Sequence, residues 1–530
     1  MFKTIPRYAL PGILLVVLFF VACKQKPVIA TKLTEQYKNE VYKDYDSAAY
    51  HAEFKKQLEQ SKPQLHYADA IVSYYAENDN EPHFTQNFLT NGQLRKMVQY
   101  LSRAGEHGLN PDMFHGSDIA KQLDTIQANK FTNISQVYPV LAKLEINTAN
   151  ALLNYSSVLQ FGVVNPHHLY RRYEPIPKRP DSASFKQAFD APNLVSYLEQ
   201  VQPQKPEYLA LKKALAAINK NIIDSAKLFR IKTIEMNMER MRWQIAKRDS
   251  QYIFVNIPSY NLQWLQNGKP VLNMRVCVGE PRPIDYEDKL KVYLKTKKID
   301  DKPISHQTPV ITSYINTIQL NPTWRIPESI AQNEIYYAAQ KNPNYFQNNN
   351  IRVYYNGVEV GDPDTIKWAK INREHIPYTF KQDASEINAL GKFKFIFDND
   401  NSIYLHDTPN KKAFLSNWRA VSHGCVRVQD PLMLATMLMG DTTKMDNIRM
   451  EVGLAPKDTT KKARYAKLLA KRAAPGFELQ SKFVSLNKTV QLFIDYYTCL
   501  PDENGKPVFY YDLYRMDADL EKAMGKYLGR

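Results

Sequence analysis

The feature that most constrains this chain is a change of texture at Met241-Arg242-Trp243. From about residue 48 up to that point, apolar residues recur at helical spacing. Beyond it they alternate with polar ones, in segments rich in aromatic and β-branched side chains. At 530 residues the chain is also too long for one ordinary core. Together these predict an α+β protein: a helical scaffold domain over residues 48–230, then a β-rich domain over 231–530.

In the first part, "NGQLRKMVQYLSRAGEHGLNPDMF" carries a helical pattern into a Gly-Leu-Asn-Pro stop. "VYPVLAKLEINTANALLNYSSVLQFGVVNPHHLY" closes at Gly162 and Asn165-Pro166. No catalytic cluster is visible there. In the second part, "YIFVNIPSYNLQWLQNGKPVLNMRVCVGE" alternates and turns at Asn267-Gly268, a hairpin signal. Further strands are expected in "SYINTIQLN", "KFKFIFD", "SIYLHD", "AVSHGCVRV", "VQLFIDYYTCL" and "VFYYDLYRMD". Residues from about 327 to 390 are rich in Asn and Tyr and carry short helical stretches such as "ESIAQNEIYYAAQ". They read as an insertion between two strands of one sheet system, either a capping lid or a structural elaboration.

At the N-terminus, Lys3 and Arg7 precede "ALPGILLVVLFFVAC", the length of a signal-peptide core and short for a membrane span. Val21-Ala22-Cys23 resembles a lipobox, with Phe20 standing where a branched aliphatic residue is usual. A signal peptide over 1–22, acylation of Cys23, a polar tether over 23–47 and a lipid-anchored, periplasm-facing body in the cell envelope are the expectation. An uncleaved N-terminal anchor is the alternative. The net charge of +16 suits an anionic surface or polymer, or simply a solvated exterior; no nucleic-acid motif accompanies it, so nucleic acid is not an expected partner. With Cys23 acylated, Cys277, Cys425 and Cys499 remain, and three thiols cannot all pair.

The chemistry concentrates in "SHGCVRV", residues 422–428. A nucleophilic cysteine needs an accessible thiol, a base or positive charge, and donors for an oxyanion. Gly424 permits close approach of backbone to substrate. Arg427 shares the face of Cys425 if the run is a strand. The "QDPLMLATMLMG" that follows reads as a short helix beginning at Asp430-Pro431 and ending at Gly440. The base is either His423, two residues away, or His406 in "YLHDTP", whose neighbour Asp407 would order the turn. Cys425, His406 and His423 are also three soft ligands, but no CxxC or HExxH spacing accompanies them, so neither a metal nor a cofactor is expected.

His406, fifteen residues, then Ser422-His423-Gly424-Cys425-Val426-Arg427 resembles the signature of the L,D-transpeptidase catalytic domain. The segments "HGLNPDMF", "LQFGVVNP", "IEMNMERMRW", "VNIPSYNL", "LNPTWRIPESIA", "NALGKFKFIF" and "YLHDTP" are similar to those of the long-form, YcbB-like branch. The resemblance implies a helical scaffold, a β-rich catalytic domain and a substrate-capping insertion. It also implies ping-pong acyl transfer between peptidoglycan stem peptides, forming 3→3 cross-links, with carbapenems acylating the same thiol. It makes Cys425 the nucleophile, His406 the general base, and His423 auxiliary, since many long-branch members have serine there. Gly424 and Cys425 amides would form the oxyanion hole, and Arg427 would order the site or bind a carboxylate. Ser422, Tyr404 and Trp324 would line the pocket, though the two aromatics are the weaker candidates and, as core residues, need no function.

Two departures stand out. The run "YLALKKALAAINKNIIDSAKLFRIKTIEMNMERMRW" leaves no room for the small peptidoglycan-binding module found at that point in many long-form members. Gln382-Asp383-Ala384-Ser385-Glu386-Ile387 replaces the usual Gln-x-Pro-Gly turn before "NALG", so a different lid turn is expected. The alternatives that survive are a carboxypeptidase or hydrolase using the same thioester, and a non-catalytic envelope scaffolding protein.

Overall fold

The computed structural model describes residues 27–218 and 224–529, so the expected signal peptide and Cys23 lie outside the described residues. The chain forms two compact units that do not follow the sequence boundary. Residues 27–101, 114–154 and 187–196 make the first. Residues 102–113, 155–186 and 197–529 make the second, in which helical segments and the β-rich region pack as one body.

The first unit is helical. Within it the expected tether is, from residue 27 on, packed structure: helix Val28–Tyr37 buries Ile29, Ala30 and Leu33, and Tyr42 and Tyr45 are buried beyond it. Apolar residues at i, i+1 and i+4 give that polar-looking stretch a buried side. In the core, Glu145 accepts hydrogen bonds from Tyr75 Oη (2.6 Å) and the main-chain N–H groups of Phe84 (2.7 Å) and Thr85 (2.8 Å). A buried carboxyl so saturated with donors joins two helices through groups that would otherwise be unmatched.

In the second unit, helix Ser225–Arg242 is buried along its last three turns, its charged residues included. Glu239 accepts from Arg242 Nη1 (2.9 Å), Trp243 Nε1 (3.2 Å) and Val164 N (2.9 Å), while Arg240 meets Asp517 at 2.5 Å. Gly162 is required at this contact: a Cβ there would lie 2.6 Å from Glu239 Oε1 and 2.8 Å from the Trp243 ring. The "QFGVVNP" and "NMERMRW" segments are therefore one packing motif.

The β-rich region opens with β1 (Gln251–Asn256), β2 (Asn261–Gln266) and β3 (Lys269–Gly279). β2 and β3 are joined by a two-residue turn with Asn267 at φ 50° and Gly268 at φ 78°, the geometry that Asn-Gly favours. β4 (Ile311–Leu320) follows, then β5 (Trp324–Arg325), β6 (Ile351–Tyr355), β7 (Val358–Glu359) and β8 (Tyr378–Gln382). β9 (Phe393–Phe397), β10 (Leu405–His406), β11 (Ala420–Ser422), β12 (Val426–Val428) and β13 (Lys482–Asp495) complete the strands that concern the site.

Nine strands form one sheet in the order β11-β3-β12-β10-β9-β4-β13-β1-β2. It closes on itself because β3 pairs β2 along its first half and β12 and β11 along its second. β5, β8, β6 and β7 form a separate four-stranded sheet with its own apolar core around Phe346, Val353, Trp368 and Phe380. This second sheet lies within the chain between β4 and β9, which are hydrogen-bonded neighbours. The insertion is thus a folded body placed into a strand connection.

Candidate active site

β9 alternates strictly in burial, and that alternation sorts its residues by face. Phe393, Phe395 and Phe397 of β9 are buried, while Lys392 and Lys394 point to the other side. Register carries the row across the sheet: Lys394 lies opposite His406, His406 opposite Arg427, and Arg427 opposite Cys277. Paired residues share a face, so three groups able to carry positive charge stand side by side on adjacent strands.

Cys425 and Tyr404 extend this face by one step. Tyr404 stands close enough to Cys425 for its main-chain N–H and hydroxyl to oppose the rise of the thiol pKa, and Trp324 bears on the same hydroxyl. The Tyr404 ring meets the His406 ring at 5.6 Å in an edge arrangement and lies 3.8 Å beneath Lys394 Nζ. Tyr404 and Trp324 both line the cavity beside Cys425.

The run "AVSHGCVRV" is not one strand. It breaks at residues 423–425, where Gly424 takes φ 119°, a value that a β-carbon disfavours, and where a Cβ would press on Ile403 at 3.3 Å. The break turns His423 away from Cys425, whose face it would share in a continuous strand. Its Nε2–H donates instead to Glu334 of the insertion at 2.5 Å, and its ring packs on His306 at 4.4 Å. Ser422 is buried, with its Oγ donating to the Cys425 carbonyl (2.6 Å) and accepting from Gly424 N–H (3.2 Å). Both hydroxyl functions are spent inside the loop, so Ser422 shapes it and presents no free donor to a pocket. The same bond occupies the Gly424 amide expected in an oxyanion hole, leaving Cys425 N–H as the main-chain donor without a partner among the described residues. Thr308 Oγ1 ties the loop from beneath by donating to the Gly424 carbonyl at 2.8 Å.

Electrostatics set the resting protonation. Burial, with Arg427 and Lys394 nearby, pushes the His406 pKa down to about 3, so its imidazole is neutral. Its Nδ1 donates to the Asp407 carbonyl at 2.5 Å, so the accepting nitrogen is Nε2. The Asp407 carboxylate fixes that carbonyl by accepting from Lys392 N (2.8 Å), Thr408 N (2.7 Å) and Lys411 Nζ (2.5 Å). Burial also raises the Cys425 pKa, opposed by the two Tyr404 donors and then by Lys394 and Arg427. The resting pair is therefore thiol and neutral imidazole.

Above this face lies a cavity of about 1290 Å³ lined by the sheet residues and by the insertion from Trp324 to Lys381. Its charged lining is lopsided: Arg172, Lys302, Arg325, Lys381, Lys394 and Arg427 against the single carboxylate of Glu328. Such a cavity favours an anionic ligand. Among the described residues, no three His, Cys, Asp or Glu side chains are grouped to hold a metal.

The insertion turn, which lacks the Pro-Gly pair, is held by side chains. Gln382 Oε1 accepts from Ala389 N (2.9 Å), and Asn388 donates to the Asp383 carbonyl (2.9 Å) while accepting from Leu390 N (2.8 Å). Sequence reasoning passed over two residues of the site. Lys394 was legible in principle, since "KFKFIF" puts its lysines opposite its phenylalanines. Glu334 gave no signal, because its partner is 89 positions away.

Residues 250–452 match the L,D-transpeptidase catalytic domain family, and residues 69–215 match the scaffold domain family. A protein of Haemophilus influenzae whose name assigns it provisionally to the L,D-transpeptidases is 33% identical over 227 residues. That match covers 43% of this chain and 41% of the relative, less than half of either.

Proposed function

The chain belongs to the L,D-transpeptidase family, carrying both its scaffold and its catalytic domain, and on that premise we propose that it cross-links peptidoglycan stem peptides through a thioester on Cys425. The observation that carries the reading is the single face shared by Cys425, Tyr404, His406 and Arg427.

In the first half-reaction, Cys425 Sγ attacks the carbonyl that joins the L-centre of meso-diaminopimelate to the terminal D-alanine of a tetrapeptide stem. The thiol proton passes to His406 Nε2, which lies diagonally across the β10–β12 pair. Tyr404 stabilises the sulfur as charge develops, and Cys425 N–H receives the oxyanion. The C–N bond breaks, the imidazolium returns its proton to the departing amine of D-alanine, and the thioester remains. In the second, the side-chain amine of another stem attacks the thioester, His406 takes a proton from that amine, and the thiol is restored. Water in place of the amine gives a carboxypeptidase or hydrolase by the same steps.

Incubation with disaccharide tetrapeptides is expected to yield 3→3 dimers, with the ratio of dimer to tripeptide reporting acceptor choice. A Cys425→Ala chain that still forms dimers would refute the nucleophile. The N-terminal apolar run and Val21-Ala22-Cys23 support export and lipid anchoring in the envelope; loss of palmitate labelling in Cys23→Ala is the corresponding test.

A further inference from the structure

Elsewhere in this unit several partly buried cations are matched by carboxylates. Arg240 has Asp517, Arg242 has Glu239, Arg248 has Glu207, and Arg352 is shared by Asp383, Glu359 and Glu478. At the site Arg172, which lines the same cavity, is met by the Ser305 and Gln307 carbonyls, while Lys394 and Arg427 lack such a match. Neither has a carboxylate partner among the described residues. Lys394 rests on the Tyr404 ring, and Arg427 Nε is buried with no acceptor among the described residues. They flank His406 from either side, on β9 and β12, and both line the cavity beside Cys425.

Two desolvated cations without a counter-charge are costly to hold, and the cost falls when a ligand supplies the anion. A guanidinium takes a carboxylate through two parallel N–H groups, and an ammonium adds a point charge. We infer that Lys394 and Arg427 form a two-cation receptor for a carboxylate of the donor stem peptide. This rests on the acyl-transfer reading above. The stem offers two such groups close to the scissile bond, the terminal carboxylate of D-alanine and the side-chain carboxylate of diaminopimelate. The chemistry at the receptor is the same for both.

The test uses the full chain with Cys425→Ala, so that binding is read without turnover. Three tetrapeptides are titrated calorimetrically: one with both carboxylates free, one amidated at the C-terminus, one amidated on diaminopimelate. Lys394→Met is expected to weaken the free peptide about tenfold, and Lys394→Arg to restore most of that loss. Amidation of the recognised carboxylate weakens binding by a similar factor and makes it insensitive to Lys394→Met, which identifies the source. Equal weakening of all three peptides, or of none, overturns the receptor. In the chain with Cys425 intact, Lys394→Met is expected to slow alkylation by uncharged iodoacetamide by clearly less than the tenfold loss of peptide binding, since Lys394 is among the smaller influences that hold the Cys425 thiol down. A fall matching the loss of peptide turnover would make Lys394 a thiolate stabiliser and overturn the receptor. Binding without turnover in the intact chain refutes transfer and leaves the receptor standing, whereas turnover indifferent to Lys394 does the reverse.

Discussion

The imidazole of His406 is tied to the main-chain carbonyl of Asp407, its own neighbour, at 2.5 Å. A carbonyl only accepts, so the bond fixes the proton on Nδ1 and turns Nε2 into the acceptor. Because Asp407 N–H donates to Phe393 O (2.8 Å), the orienting carbonyl is itself held by the sheet. The base is therefore positioned by backbone, and among the described residues no carboxylate touches the ring to raise its basicity. The neighbouring charges are cations, and they lower it.

That arrangement makes a pH prediction. With its pKa pushed down to about 3, chiefly by burial, His406 stays neutral far below the usual range of about 6.5. The rate of carbapenem acylation is expected to be flat between about pH 5 and 7 and to rise above neutrality, as the raised Cys425 thiol ionises. An acidic limb centred near 6.5 would show that His406 is not buried as described. Stability carries the same sign. The unfolded histidine binds a proton from about 6.5 downward while the folded one does not, so stability is full above that pH and is lost as pH falls towards 3. His107, pushed to about 2 by burial, contributes in the same direction. Replacing His406 by Asn should remove up to ~1.4 kcal/mol per pH unit from the slope of denaturant stability across that window.

Tyr404→Phe isolates one hydroxyl. The ring under Lys394 and against His406 is retained, but the donor to the Cys425 sulfur is lost. A hydrogen bond to a charged group contributes about 1.5–3 kcal/mol, so acylation is expected to slow by about tenfold or more. The thiol, measured by the pH dependence of alkylation, should ionise at higher pH. Unaltered rates would mean that the hydroxyl leaves the sulfur when substrate binds.

The division into helical and β-rich sequence was legible because periodicity is local, and so was the Asn267-Gly268 turn. The Cys425 and His406 pair was legible only through the spacing of a known signature. Its row with Lys394 depends on the register of β9, β10 and β12, which no single segment contains. The direction of His423 was not legible for a related reason: "AVSHGCVRV" has the composition of a strand, and only the Gly424 conformation breaks it. The tether was misread because Ile29 and Leu33 are sparse among polar residues, yet their spacing suffices to bury one side of a helix.

The three described cysteines should separate cleanly by reactivity. Cys277 and Cys499 are fully buried, and burial raises both thiols, Cys499 to about 12. Cys425 is partly exposed to the cavity. Iodoacetamide on the native chain is expected to modify Cys425 alone among these, at a rate that climbs into alkaline pH, with the other two reacting only in denaturant. Peptide mass mapping reads the result, and native labelling of Cys277 would contradict the closure of β3 against β12.

Glu334 and His423 connect the insertion to the loop that carries the nucleophile. The pair is half-exposed, with side chains 50% and 38% accessible, so it adds only ~0–1 kcal/mol to stability. Its consequence lies in water access. Glu334 belongs to the irregular helical turn Ala331–Ile335, and residues of that turn line the cavity over Cys425. Glu334→Gln keeps the shape of the side chain and removes the charge that draws the imidazole N–H. Carbapenem acylation should then change by less than about threefold, with the melting temperature nearly constant. The share of hydrolysed tripeptide among the products should rise by about threefold, because a loosened insertion admits water to the thioester. His423→Ser should reproduce the shift, and the double variant should add little to either single one. Constant product ratios in all three variants would show that this contact does not control access to the thioester.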